Sequence, residues 1–160
     1  MSQIAVIMGS QSDMETVRAG IDVLKEFKVD FDVRVLSAHR TPKELAAYVA
    51  SQEKNGAKAF IAAAGGAAAL AGVIASHTTL PVIGIPIETK SLAGLDSLLS
   101  TVQMPGGIPV ASMAIGAAGA KNAGLFAVAI LAAFDPRLKK KLQAYRSSQR
   151  AKIASIKLKV

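Results

Sequence analysis

Five short, largely continuous apolar runs constrain this chain most: IAVIMG (4–9), FDVRVL (31–36), AKAFIAAAGG (57–66), PVIGIPI (81–87) and IPVASMAI (108–115). Strands covered on only one face alternate apolar and polar residues. Runs that stay apolar belong to a parallel sheet covered on both faces. Helical patterns separate them. Met14, Val17, Ile21 and Leu24 step at three or four after the first run, and Leu45, Tyr48 and Val49 do so after the second. AAALAGVIAS (67–76) and KNAGLFAVAILAAF (121–134) are apolar all round and read as buried helices. Ser12 with Glu15, and Thr41 with Pro42 and Glu44, read as capping boxes that open the first two helices. Alternating strands and helices without an internal repeat or linker predict one three-layer, doubly wound α/β domain over residues 1–160.

In such a sheet, ligands bind where the strands end. The polar and glycine-rich junctions fall there: GSQSD after the first strand, SAHRTP after the second, AGGAAA after the third. GSQSD offers hydroxyls, a carboxylate and free N–H groups at a helix start, which suit one phosphate or a sugar hydroxyl. It is not G-x-G-x-x-G, and no G-x-x-x-x-G-K-[ST] occurs, so a dinucleotide or a P-loop nucleotide is disfavoured. Helix capping alone would also explain Ser12. The glycines of AGGAAA let a ligand reach bare backbone, or simply turn the chain tightly. SAHRTP is the most specific, because Thr41 and Pro42 account for the helix start and leave His39 and Arg40 free. An imidazole beside Arg40 and a helix's positive end meets positive potential, which an anionic ligand would offset. Such opposing influences suit general acid–base work.

Charge and composition narrow the class. Residues 1–134 carry ten Lys or Arg and ten Asp or Glu, so the net charge of +8 lies wholly in 135–160, with nine basic residues and Asp135. A neutral body with a basic tail is not a nucleic-acid groove. Leu138, Leu142, Tyr145, Ile153 and Ile156 give the tail an apolar stripe, so an amphipathic helix that packs its stripe is expected instead. The chain has no cysteine, which removes disulfides and thiolate chemistry. No apolar run is long enough for a membrane span, and no secretory signal is visible, so a cytoplasmic enzyme is expected.

With the junctions assembled, the chain resembles the class I N5-carboxyaminoimidazole ribonucleotide mutases over nearly its whole length. The motifs are MGSQSD (8–13), SAHRTP (37–42), AGGAA (64–68), TTLPVIGIPI (78–87), LDSLLS (95–100), VQMPGGIPVASMAIG (102–116) and GAKNAG (119–124). The resemblance implies a flavodoxin-like subunit in a homo-octamer, with the C-terminal helix packing on neighbouring subunits. It implies a step of purine biosynthesis in which a carboxylate moves from the exocyclic nitrogen to the ring carbon of aminoimidazole ribonucleotide. Carbon dioxide and the free aminoimidazole are the implied intermediates, with no metal or other cofactor. Position by position, it makes His39 the acid–base residue and Ser10, Asp13 and Arg40 ribonucleotide ligands. Ser12, Ser37, Ala38, Gly65, Gly66, Ala67 and Leu70 would line the site. A guanidinium can pair with phosphate as a bidentate fork, and a carboxylate can accept from ribose hydroxyls.

One departure stands out. The family reads G-G-A-A-H-L-P-G where this chain reads GGAAALAG, so Ala69 replaces an active-site histidine and Ala71 a proline. His77 lies eight residues further, about 12 Å along a helix, and cannot substitute. Two alternatives follow: a class II-type carboxylase that takes carbon dioxide directly, or a non-catalytic ribonucleotide-binding relative. The third junction does not read like the arginine- and asparagine-containing version of class II. Nucleic-acid binding through the tail is a further, weaker rival.

Overall fold

The computed structural model describes residues 2–158. Its strands are β1 (Ile4–Met8), β2 (Phe31–Val35), β3 (Ala59–Ala64), β4 (Val82–Pro86) and β5 (Ala111–Ser112). Its helices are α1 (Met14–Phe27), α2 (Pro42–Lys54), α3 (Leu70–Ser76), α4 (Leu95–Val102), α5 (Gly116–Ala132) and α6 (Pro136–Ala154). All strand pairs are parallel, in the order β2-β1-β3-β4-β5. That is the flavodoxin-like order, with its switch point between β1 and β3.

The pleat sorts the core into two layers. Ile4, Val6 and Met8 of β1 face α1, α5 and the start of α6, together with Ile61 and Ile85. Ala5 and Ile7 face the other way, with Phe60 and Ala62, onto α2 and α3. Both sides of β1, β3 and β4 are therefore apolar, which is why their sequences do not alternate. β2 is an edge strand and is only half-buried, so it tolerates Asp32 and Arg34. Tyr48 closes over it, donating its hydroxyl to Asp32 Oδ2 at 2.8 Å.

Several boundaries differ from the sequence reading. The last apolar run yields a strand of two residues, since the segment before it contains the Gly106–Gly107 turn and Pro109, which has no N–H for a ladder. α3 begins at Leu70 because the chain first turns through Gly66 and Ala68, both at positive φ. α5 begins at Gly116, five residues earlier than its apolar run. α4 was not expected at all. Neither capping box forms as read. The first belongs to Ser10 and Asp13 and opens a single 3-10 turn, Gln11–Asp13, ahead of α1. Thr41 precedes α2 without capping it; its hydroxyl accepts the Ser37 N–H at 2.8 Å and donates to the Ser37 carbonyl at 3.1 Å.

The tail is a helix, α6, capped by Asp135, which accepts from the N–H groups of Arg137 and Leu138. Its stripe packs only in part. Leu138 is buried, Leu142 and Tyr145 lie against the core, and the Tyr145 ring meets Phe27 at 5.6 Å. Ile153 and Ile156 remain exposed.

α1 and α5 cross backbone to backbone. A Cβ on Gly124 would stand 2.6 Å from the Gly20 carbonyl oxygen and 3.0 Å from the Val23 Cβ. Alanine gains about 1 kcal/mol over glycine within a helix. Here the methyl meets backbone that cannot rotate away, and overpacking of that kind costs about 1–3 kcal/mol or more. Gly124→Ala is therefore expected to lower unfolding free energy by about 1–2 kcal/mol net in urea titration, against the propensity gain seen at exposed helix sites.

Candidate active site

Three chain segments meet where β1, β2 and β3 end. In register, Met8 lies between Val35 and Ala63. The residues that follow line one cavity of about 390 Å³: Gly9, Ser10 and Asp13 from the first segment, Ser37 to Arg40 from the second, and Ala64, Gly65 and Ala68 to Leu70 from the third. A larger groove of about 710 Å³ lies between α1, α5 and α6, lined by four lysines and by neither histidine nor glycine turn. Unlike that groove, the strand-end cavity combines an imidazole, a carboxylate, a guanidinium and glycine backbone.

Ser10 and Asp13 are fixed by their mutual box. The Ser10 N–H donates to Asp13 Oδ2 at 3.1 Å, and the Ser12 hydroxyl donates to Ser10 Oγ at 2.9 Å. This leaves the Ser10 hydroxyl proton free to donate into the cavity. Asp13 is 8 % exposed. Its burial pushes the carboxyl above the ordinary carboxylate value, partly offset by hydrogen bonds from Ser10 and Ser12.

Arg40 ties the second segment to the first. Its Nη2 donates to the Gly9 carbonyl at 3.0 Å, and its backbone N–H donates to Ser37 Oγ at 3.1 Å. No carboxylate pairs with it among the described residues. The guanidinium therefore keeps donors for an anion. His39 is exposed at the cavity wall rather than sealed in the core. It is the one imidazole lining the cavity. Ala69 also lines the cavity and brings no polar side-chain group to it.

Of the residues singled out from sequence, Ser10, Asp13, Ser37, Ala38, His39, Arg40, Gly65 and Leu70 line the cavity. Ser12, Gly66 and Ala67 do not. Ser12 is exposed and supports Ser10 from behind. Gly66 spends its N–H on Ser97 Oγ at 3.0 Å, and Ala67 is exposed beyond the rim. Gly9, Ala64 and Ala68 line the cavity without having been singled out, although each sits inside a junction motif that had been. His77 ends α3, exposed and outside the cavity lining.

A sequence model of the AIR carboxylase family matches residues 3–152. The protein named N5-carboxyaminoimidazole ribonucleotide mutase from Haemophilus influenzae is 52 % identical over 148 residues, covering 92 % of this chain and 90 % of that protein. The one so named from Saccharolobus solfataricus is 50 % identical over 158 residues, covering 99 % of each. The crystal structure of Treponema denticola PurE superposes with a TM-score of 0.86 at 29 % identity, covering 94 % of this chain and 93 % of that one. The chain belongs to the AIR carboxylase family.

The Asp13 environment has a testable sign. Its folded-state pKa lies above the unfolded one, so the stability it supports is complete below the ordinary carboxylate range. That stability is lost as pH rises through the folded value. Asp13→Asn keeps an acceptor for the Ser10 N–H and does not ionise. The stability of wild type relative to Asp13→Asn should therefore fall as pH is raised from about 3 to about 7, as read from denaturant midpoints.

Proposed function

We propose that this member of the AIR carboxylase family is an N5-carboxyaminoimidazole ribonucleotide mutase, an isomerase of purine biosynthesis that acts in the cytoplasm. Two facts support the reading: near full-length relatives about 50 % identical bear that name, and the residues the chemistry needs share one cavity. The second carries it, because a name transfers only if the site is there. Arg40 takes the phosphate with the guanidinium face left free by Gly9. Asp13, held as an acceptor by its capping box, takes ribose hydroxyls. Ser10 and Gly65 supply donors and bare backbone around the ring.

His39 stands where it can face the heterocycle. In this reading it first acts as an acid. The bond from the exocyclic nitrogen to the carboxylate carbon breaks, its electron pair stays on nitrogen, and His39 supplies the proton. The ring carbon then attacks the released carbon dioxide. His39, now neutral, takes the proton that the ring carbon gives up, so protons balance over the cycle. No other imidazole lines the cavity to share this work.

Assembly into a homo-oligomer, with an octamer expected and the tail seated on neighbours, completes the proposal. Its support is uncovered apolar surface. Leu92, Leu95, Leu99 and Val102 form an exposed stripe on and before α4, and Phe134, Ile153 and Ile156 are exposed around α6.

Ala69 is the observation that favours a second reading, a relative that binds the ribonucleotide without turning it over. One assay decides: each carboxylated isomer is incubated with pure protein without ATP, and the other isomer is quantified. The mutase reading expects interconversion by wild type. It also expects a loss of about 10²- to 10⁴-fold in His39→Ala with binding retained, as for removal of a general acid–base group. Binding without interconversion by wild type would establish the second reading, and Ala69→His should then raise activity from zero. His39→Ala turning over like wild type would remove the role given to that residue.

A further inference from the structure

The turn that forms one wall of the cavity closes on itself only through a long bond, from the Ala68 N–H to the Gly65 carbonyl at 3.3 Å. Gly66 sits at φ +67 and Ala68 at φ +28, a region that L side chains rarely adopt. A neighbouring helix holds this turn. Ser97 of α4 has no solvent exposure, and its hydroxyl bridges two backbones. It accepts the Gly66 N–H at 3.0 Å and donates to the Ile87 carbonyl, just past β4, at 2.6 Å. One turn further, the Ser100 hydroxyl reaches both the Gly66 carbonyl at 3.3 Å and the Asp96 carbonyl at 2.8 Å. α4 therefore grips the peptide groups on both sides of Gly66, while Gly65 next to them faces the cavity.

We propose that Ser97 is a positioning residue for this site: it locks the Gly65–Gly66 turn to the end of β4 and so sets where the ligand meets that wall. The inference rests on the mutase reading for its kinetic readout. Among the described residues the Ser97 hydroxyl is the one side-chain group bonded to both backbone partners, and its loss would leave a part-buried N–H and carbonyl without that partner. A wall shifted by about 1 Å can cost about two orders of magnitude in rate without touching the reacting atoms.

The test compares wild type, Ser97→Ala, Ser100→Ala and Thr101→Val. Thr101 is buried and donates to the Ser97 carbonyl at 2.7 Å, so Thr101→Val perturbs the same helix without touching the turn. The expected result is a fall in kcat of about ten-fold or more for Ser97→Ala with a smaller change in KM. Thr101→Val should lose Tm comparably and keep its kcat. A Ser97→Ala loss no larger than that of Thr101→Val would overturn the proposal. Should Ser97→Ala not fold, Ser100→Ala decides: a lower kcat at unchanged Tm supports the proposal, and an unchanged kcat overturns it. Failure of the mutase reading is seen separately, as wild type without turnover. In that case the backbone amide resonances of Gly65 and Gly66 are followed while 4-carboxyaminoimidazole ribonucleotide is added. Shifts in wild type that are altered in Ser97→Ala, or in Ser100→Ala if the former does not fold, support the proposal; identical responses overturn it.

Discussion

Parallel register is the constraint on which everything else rests. Met8 pairs with Val35 on one side and Ala63 on the other, so three strands stop within one residue of the same level. Neighbouring strands lie about 4.8 Å apart, which puts the outer two of these three exits within about 10 Å of each other. Segments far apart in sequence thus leave the sheet side by side. Around the β1–β3 switch point the chain diverges to opposite faces of the sheet, and the crevice between is where the cavity forms. A slip of one residue in β1 would swap its core faces, and the doubly buried sheet forbids that.

Polar groups inside the crevice hold one another before any ligand arrives. Asp13 braces Ser10, Arg40 braces the first loop through Gly9, and Ser97 braces the glycine turn from behind. Each brace runs from a side chain to backbone, so each fixes a loop's path. Ser10 and Arg40 keep donors free toward the cavity. The loops are thereby preorganised on three strand ends, and the exposed imidazole of His39 at the cavity wall is the group to which the proposed mechanism gives the proton transfers. With alanine at position 69, His39 is the one imidazole lining the cavity.

Much of this is legible in the amino-acid sequence. Unbroken apolar runs gave β1, β3 and β4, because burial on both faces leaves no room for polar residues. The three junction motifs became the three cavity segments for the same topological reason. The features that local sequence does not carry have physical causes. Ser12 and Glu15 have the spacing of a capping box, but a 3-10 turn inserted before α1 moves the true box to Ser10 and Asp13. LDSLLS has few signals of a helix start, since α4 opens after Gly94 at φ +86 with no side-chain cap. Its two serines carry no local sign of burial, yet one is buried and both grip a loop 31 or more positions away. Nothing in local spacing carries such a contact. The tail's stripe was legible, but which half of it would pack depends on where α1 ends, at Phe27.

Residue-by-residue mapping of the bound ribonucleotide tests the convergence most directly. Amide shifts of ¹⁵N-labelled protein would be followed as 4-carboxyaminoimidazole ribonucleotide is titrated in. The account predicts that perturbations concentrate in three separate stretches, Gly9–Asp13, Ser37–Arg40 and Ala64–Leu70, and saturate together with one affinity. Perturbations centred on the lysine-lined groove between α1, α5 and α6, with those three stretches silent, would contradict it.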